Sequence, residues 1–152
     1  MSDYESPRRR ANAGFSSGLI GGLIIAAVFL LFMLIDKNMD NRTDSLAFLI
    51  QLFVFFFIGQ SAAERQYHNQ IEEPEPLEGV VGAGKGAALI ACTITWIVIV
   101  IRGVIRDSLG VFIFTDPVGL FIAILANYLL ALAIGTWAGK IVEKRYRLYN
   151  EY

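Results

Sequence analysis

The stretch ANAGFSSGLIGGLIIAAVFLLFMLI, residues 11–35, contains no charged side chain. A bilayer's hydrocarbon core is about 30 Å thick, and a helix needs about 20 predominantly apolar residues to cross it. Three further uncharged runs follow, over residues 45–63, 86–101 and 117–139. Hydrophobic residues make up 55% of the 152-residue chain and charged residues 18%, against about 45–50% and about 25% in ordinary soluble domains. The sequence therefore reads as an integral membrane protein and not as a soluble enzyme.

With no water in the bilayer core, each run must satisfy its own backbone hydrogen bonds, which makes each a helix. Helix 1 is expected over residues 14–35 and helix 2 over 45–63. The third run is the shortest and rises only about 24 Å. Helix 3 is therefore expected to extend back through Gly82 and forward to Gly103, with Lys85 and Arg102 snorkelling to the two interfaces. Helix 4 starts where Asp116 can cap it and Pro117 can take its first position, and it runs to about Gly139. The apolar residues 109–115 are too short to span and are placed at the interface or as a helical extension.

Four spans put both termini and the middle loop on one side. That side carries nine Lys and Arg: Arg8, Arg9, Arg10, Arg65, Lys85, Lys140, Lys144, Arg145 and Arg147. The other carries four: Lys37, Arg42, Arg102 and Arg106. Cationic side chains favour the cytoplasmic face, so the termini are expected there, in a bacterial cytoplasmic membrane. Helix 1 is too long for a secretory h-region and is expected to stay as an anchor.

The two halves repeat one another. Thr43-Asp44-Ser45-Leu46-Ala47-Phe48-Leu49-Ile50 aligns with Thr115-Asp116-Pro117-Val118-Gly119-Leu120-Phe121-Ile122. Ile58-Gly59 aligns with Ile134-Gly135, and Glu64-Arg65-Gln66-Tyr67 with Glu143-Lys144-Arg145-Tyr146. Upstream, Gly21-Gly22-Leu23-Ile24-Ile25-Ala26 resembles Gly86-Ala87-Ala88-Leu89-Ile90-Ala91. The pattern is a tandem duplication of a two-helix hairpin, and two parallel copies are expected about a pseudo-twofold axis along the membrane normal. The organisation that results is a tail (1–13), a first hairpin (14–63), an acidic Pro/Glu linker (64–79), a second hairpin (80–139) and a basic-aromatic tail (140–152).

Lipid gives helices no hydrophobic reason to associate, so contact depends on small residues that let backbones approach. Helix 1 carries Gly14, Gly18, Gly22 and Ala26 at four-residue spacing; helix 3 carries Gly79, Ala83, Ala87 and Ala91; helix 4 carries Gly135 and Gly139. These are the expected helix-contact residues, within one chain or between chains. Polar residues inside the runs are few. Gln51, Gln60, Thr93, Thr95 and Asn127 could bond between helices or line a narrow polar path.

Chemical sites are harder to find. The residues Gly79-Val80-Val81-Gly82-Ala83-Gly84-Lys85-Gly86 spell most of a phosphate-binding loop, but Gly86 stands where Ser or Thr should hold magnesium, and an acidic proline linker precedes it instead of a strand. Cys92 is the single cysteine and His68 the single histidine, so neither a disulfide framework nor a metal site is expected, and no cofactor. No nucleophile and base stand together. Thirteen Lys and Arg against fourteen Asp and Glu leave no basic footprint for nucleic acid. A small multidrug exporter would carry an acidic residue within helix 1, where none occurs before Asp36, and the polar motifs of a fluoride channel are missing.

The ends of the chain carry a lipid-interface signature. Arg8, Arg9 and Arg10 precede helix 1. Lys140, Lys144, Arg145 and Arg147 are interleaved with Trp137, Tyr146, Tyr149 and Tyr152, aromatics at headgroup depth beside cations that face anionic lipid. The expected function is non-enzymatic: helix–helix contact, as a homo-oligomer or an accessory subunit of a larger membrane complex, in contact with membrane lipids. A small pore or transporter is the alternative.

Overall fold

The computed structural model describes residues 6–35, 41–71, 77, 79–105 and 117–150, and these are all-helical apart from short turns. The helices are α1 (Ser6–Ile35), α2 (Asn41–Asn69), α3 (Val80–Ile105) and α4 (Pro117–Asn150). Each contains a stretch long and apolar enough to cross a membrane, the mark of an integral membrane protein.

The helices overrun their apolar runs. α4 has 34 residues, about 51 Å at 1.5 Å per residue, against a hydrocarbon core of about 30 Å. The basic-aromatic tail is therefore the last turns of α4 through Asn150, and α2 likewise continues through Glu64 to Asn69, which the sequence assigned to the linker. α1 begins at Ser6, so Arg8, Arg9 and Arg10 lie on its first turns. Lys, Arg and Glu are good helix formers, and nothing in these segments breaks the i→i−4 ladder once the membrane has nucleated it. The Asp116 cap, residues 109–115 and residues 72–76 and 78 of the acidic linker lie outside the described residues.

Contact positions give the helix directions. Gly14 faces Ala83, Gly18 faces Ala87 and Ile90, and Gly22 faces Ile94, so α1 and α3 run parallel. Gln51 meets Asn127 and Tyr67 meets Tyr146, so α2 and α4 run parallel as well. On α3 and α4, Val81 faces Gly139 and Gly84 faces Gly135, an antiparallel pair.

This arrangement corrects the twofold expectation. An axis along the membrane normal would exchange α1 with α3 and α2 with α4, so the contact of α2 with α3 would need a counterpart between α1 and α4. Among the described residues α2 packs on α3, but α1 and α4 do not touch. The second hairpin lies beside the first in the same sense, α3 along α1 and α4 along α2, with α2 and α3 on the short diagonal. The shared core is built from Ile25, Phe29, Ala47, Phe55, Ala62, Ala87, Ala88, Ala91, Cys92 and Ala131, most of them small.

Candidate functional site

Three small-residue seams hold the bundle. Along α1–α3, a Cβ added at Gly14 would stand 3.0 Å from the Ala83 carbonyl oxygen. One at Gly18 would stand 2.8 Å from that of Ala87, and one at Gly22 would stand 2.7 Å from the Cβ of Ile94. These are distances at which a neighbour must move, so the seam is closed by the absence of side chains. Ala87 and Ala91 are fully buried, whereas Ala26 is half-buried. The sequence left open whether the stripe packs within or between chains, and in this structure α1 and α3 meet within one chain.

Gly79 stands apart from the stripe to which its spacing assigned it. It is exposed, has φ +78°, and sits in the turn before α3, where its carbonyl accepts the first helical bond from Ala83 N–H at 2.8 Å. A left-handed φ is open to glycine and costly to residues with a Cβ. The residues after it are the first turns of α3, a helix in place of the extended cradle a phosphate loop requires.

The second seam brings α2, α3 and α4 together at Gly59, Gly84 and Gly135. A Cβ on Gly84 would lie 2.8 Å from the Gly135 oxygen and 3.0 Å from the Gly59 oxygen. One on Gly139 would lie 2.8 Å from Val81 Cα. Gly84 is the residue the sequence reading missed. Its signal was a second small-residue line on α3, Gly84-Ala88-Cys92, offset by one position from the line toward α1. The third seam is narrower, with Gly21 of α1 facing Ile58 of α2.

The polar residues occupy separate places. Gln51 Nε2 donates to Asn127 Oδ1 at 3.0 Å, buried between α2 and α4. Thr95, also buried, bonds back to the Ala91 carbonyl of its own helix at 2.9 Å. Thr93 is on the outer surface, where its hydroxyl lies 2.9 Å from that of Tyr128 on α4. Gln60 is half-buried one turn past Phe56. Ser17 Oγ and Trp96 Nε1 are buried with no hydrogen-bond partner among the described residues.

At the end of the bundle that carries the start of α1 and the end of α4, α2 and α4 continue their contact outside the apolar span. Tyr67 and Tyr146 stack, with ring centroids 3.8 Å apart and planes at 14°. The Tyr146 hydroxyl lies 3.4 Å from His68 Nε2. Arg145 pairs with Glu64 of α2 at 2.9 Å, and Arg147 with Glu143 on its own helix at 2.6 Å. Lys140 and Lys144 are exposed and have no such partner among the described residues. The side chains of Arg8, Arg9 and Arg10 are outside the described residues. Among those described, no three His, Cys, Asp or Glu side chains gather where a metal ion could be held.

What this arrangement does chemically is hold helices together: by close backbone approach on one side, and by amide, aromatic and ionic pairs on the other. No known family, curated protein or solved structure matches the chain.

Proposed function

We propose that this is a small non-enzymatic membrane protein, a duplicated hairpin with both termini cytoplasmic. It acts through helix–helix contact as a homo-oligomer or as an accessory subunit of a larger membrane complex. Duplication is supported by two repeat-related pairs that meet one another along α2 and α4: Gly59 with Gly135, and Tyr67 with Tyr146. The cytoplasmic placement of the termini is supported by the excess of Lys and Arg on their side.

The observation that carries the contact function is the uneven use of the helices. In the spanning stretch of α4, 17% of residues are buried, against 33–39% in the other three. The glycine stripes of α1 and α3 are occupied within the chain, so a partner must use another face. α4 offers one: Ala123, Ala126 and Ala133 are all exposed on one side of the helix, and small residues there let a second backbone come close. A path through Gln51, Gln60, Thr93, Thr95 and Asn127 has less support, because Gln51 and Asn127 satisfy each other and Thr93 faces outward.

The test is affinity purification of the full chain in mild detergent, with intact-complex mass and identification of what co-purifies. A stoichiometric partner or a discrete homo-oligomer that dissociates on Ala126→Phe with Ala133→Phe is the expected result. A monomer with no partner, unchanged by these substitutions, would sink the reading. Flux in liposomes abolished by Gln51→Leu and Asn127→Leu would instead favour the pore.

A further inference from the structure

Between α2 and α4 the outer surface opens into a groove of about 360 Å³, within the size range of small-ligand sites. Its walls are Leu49, Leu52, Phe53 and Phe56 of α2 and Ile134 and Trp137 of α4. Trp137 leans on Phe56 with ring centroids 5.1 Å apart, yet it is 61% exposed, and Phe53 is 64% exposed.

The depth of this groove follows from helix geometry. From Pro117 to Trp137 the helix rises about 30 Å, which is the thickness of the hydrocarbon core. Trp137 therefore marks the boundary on the side of the chain ends, with the rest of the groove within the adjoining leaflet. Lys140 and Lys144 follow at headgroup depth, about one and two turns further on. The step from Trp137 to Lys144 makes almost two full turns, so Lys144 lies nearly beneath Trp137. The neighbouring cations Arg145 and Arg147 are engaged by Glu64 and Glu143, which leaves Lys140 and Lys144, one turn apart, as the exposed cations of α4 just beyond Trp137.

The walls also indicate the kind of occupant. Helix docking requires small residues and close backbone approach, and here the rings of Phe53 and Trp137 stand out from the surface on either side of a half-buried Phe56. A flexible hydrocarbon chain can lie between such rings where a helix of about 10–12 Å diameter cannot. We infer that this groove holds an acyl chain of an anionic glycerophospholipid whose phosphate rests on Lys140 and Lys144. Charge complementarity at headgroup depth selects the lipid, and the apolar groove positions its chain. Trp137 follows Ala133 by about one turn on the same face of α4, so the groove borders the alanine face; lipid occupancy is a readout separate from the co-purification that tests protein contact.

Native mass spectrometry of the delipidated full chain in detergent tests it, with dioleoyl phosphatidylglycerol and dioleoyl phosphatidylcholine as probes. The wild type should retain one phosphatidylglycerol in preference to phosphatidylcholine. Lys140→Gln with Lys144→Gln should erase that preference, a loss of roughly tenfold or more in relative affinity. Leu49→Trp, an exposed position that fills the groove, should lower occupancy by both lipids; circular dichroism would check that each variant keeps its helices. Equal binding of the two lipids by the wild type overturns the proposal, as does either variant behaving as the wild type.

Discussion

The α1–α3 seam and the α2–α4 seam join parallel helices in the same bundle by different physics. Along α1–α3 the residues are Gly14, Gly18 and Gly22 against Ala83, Ala87, Ile90 and Ile94, and the contact they make is van der Waals approach. Along α2–α4 a buried amide pair, the Gly59–Gly135 contact, a tyrosine stack and an ion pair follow one another from the span into the water. Where lipid surrounds the helices, removing apolar surface from lipid gains little, so a seam needs either close packing or polar groups that prefer each other to lipid. The first kind fails all at once when a side chain is added. The second should lose strength in separate steps.

The largest effect is expected at Gly18. A leucine there would collide with the Ala87 carbonyl and with Ile90, and backbone cannot yield as a side-chain tip can. Overpacking of this kind costs about 1–3 kcal/mol or more, enough to part α1 from α3. Gly86→Leu is the matched control, because nothing lies within 4 Å of a Cβ at that position. Unfolding of both variants in mixed detergent micelles should give a large loss for the first and little change for the second. Equal losses would mean that glycine content and not contact geometry sets stability.

Next in size is Gln51→Leu, which strands the Asn127 amide in the span. A loss of about 1–2 kcal/mol is expected. The double variant with Asn127→Leu should recover part of it, because removing both partners leaves no unpaired polar group. A double-mutant cycle that shows strict additivity would remove this bond from the account of the seam.

Tyr146→Ala should cost about 1 kcal/mol by removing the stack on Tyr67, while Tyr146→Phe should retain most of it. Smallest is Glu64→Gln. The Glu64 and Arg145 side chains are 38% and 48% exposed, so the pair should contribute no more than about 1 kcal/mol and weaken further with salt. If this substitution exceeded the loss at Gln51, the ranking of buried over exposed pairs in this seam would be reversed.

Different parts of the molecule were legible to different degrees. The spans could be read because charge-free length is a one-dimensional property, and all four runs became helices. Helix ends were less legible: charge marks where the apolar span stops, but Glu64 and Lys140 are compatible with helix, so α2 and α4 run on. Gly14, Gly18 and Gly22, at four-residue spacing, face α3, whereas the same spacing rule placed Gly79 in a stripe when it turns the chain with φ +78°. Gly84 passed unnoticed because a second small-residue line on the same helix carries the same composition as the first.

By itself, the sequence determined four membrane-crossing helices, their order, and which few residues could bond or pack between them. The bilayer imposes those features locally, through the length and backbone satisfaction of each segment. Only the tertiary structure decided which faces meet: that α3 lies along α1 and α4 along α2, that Gln51 selects Asn127, and that α4 keeps an open alanine face. A helix surrounded by lipid is apolar on every side, so hydrophobic patterning cannot distinguish a face turned to a neighbour from one turned to lipid, and shape complementarity between helices makes that choice.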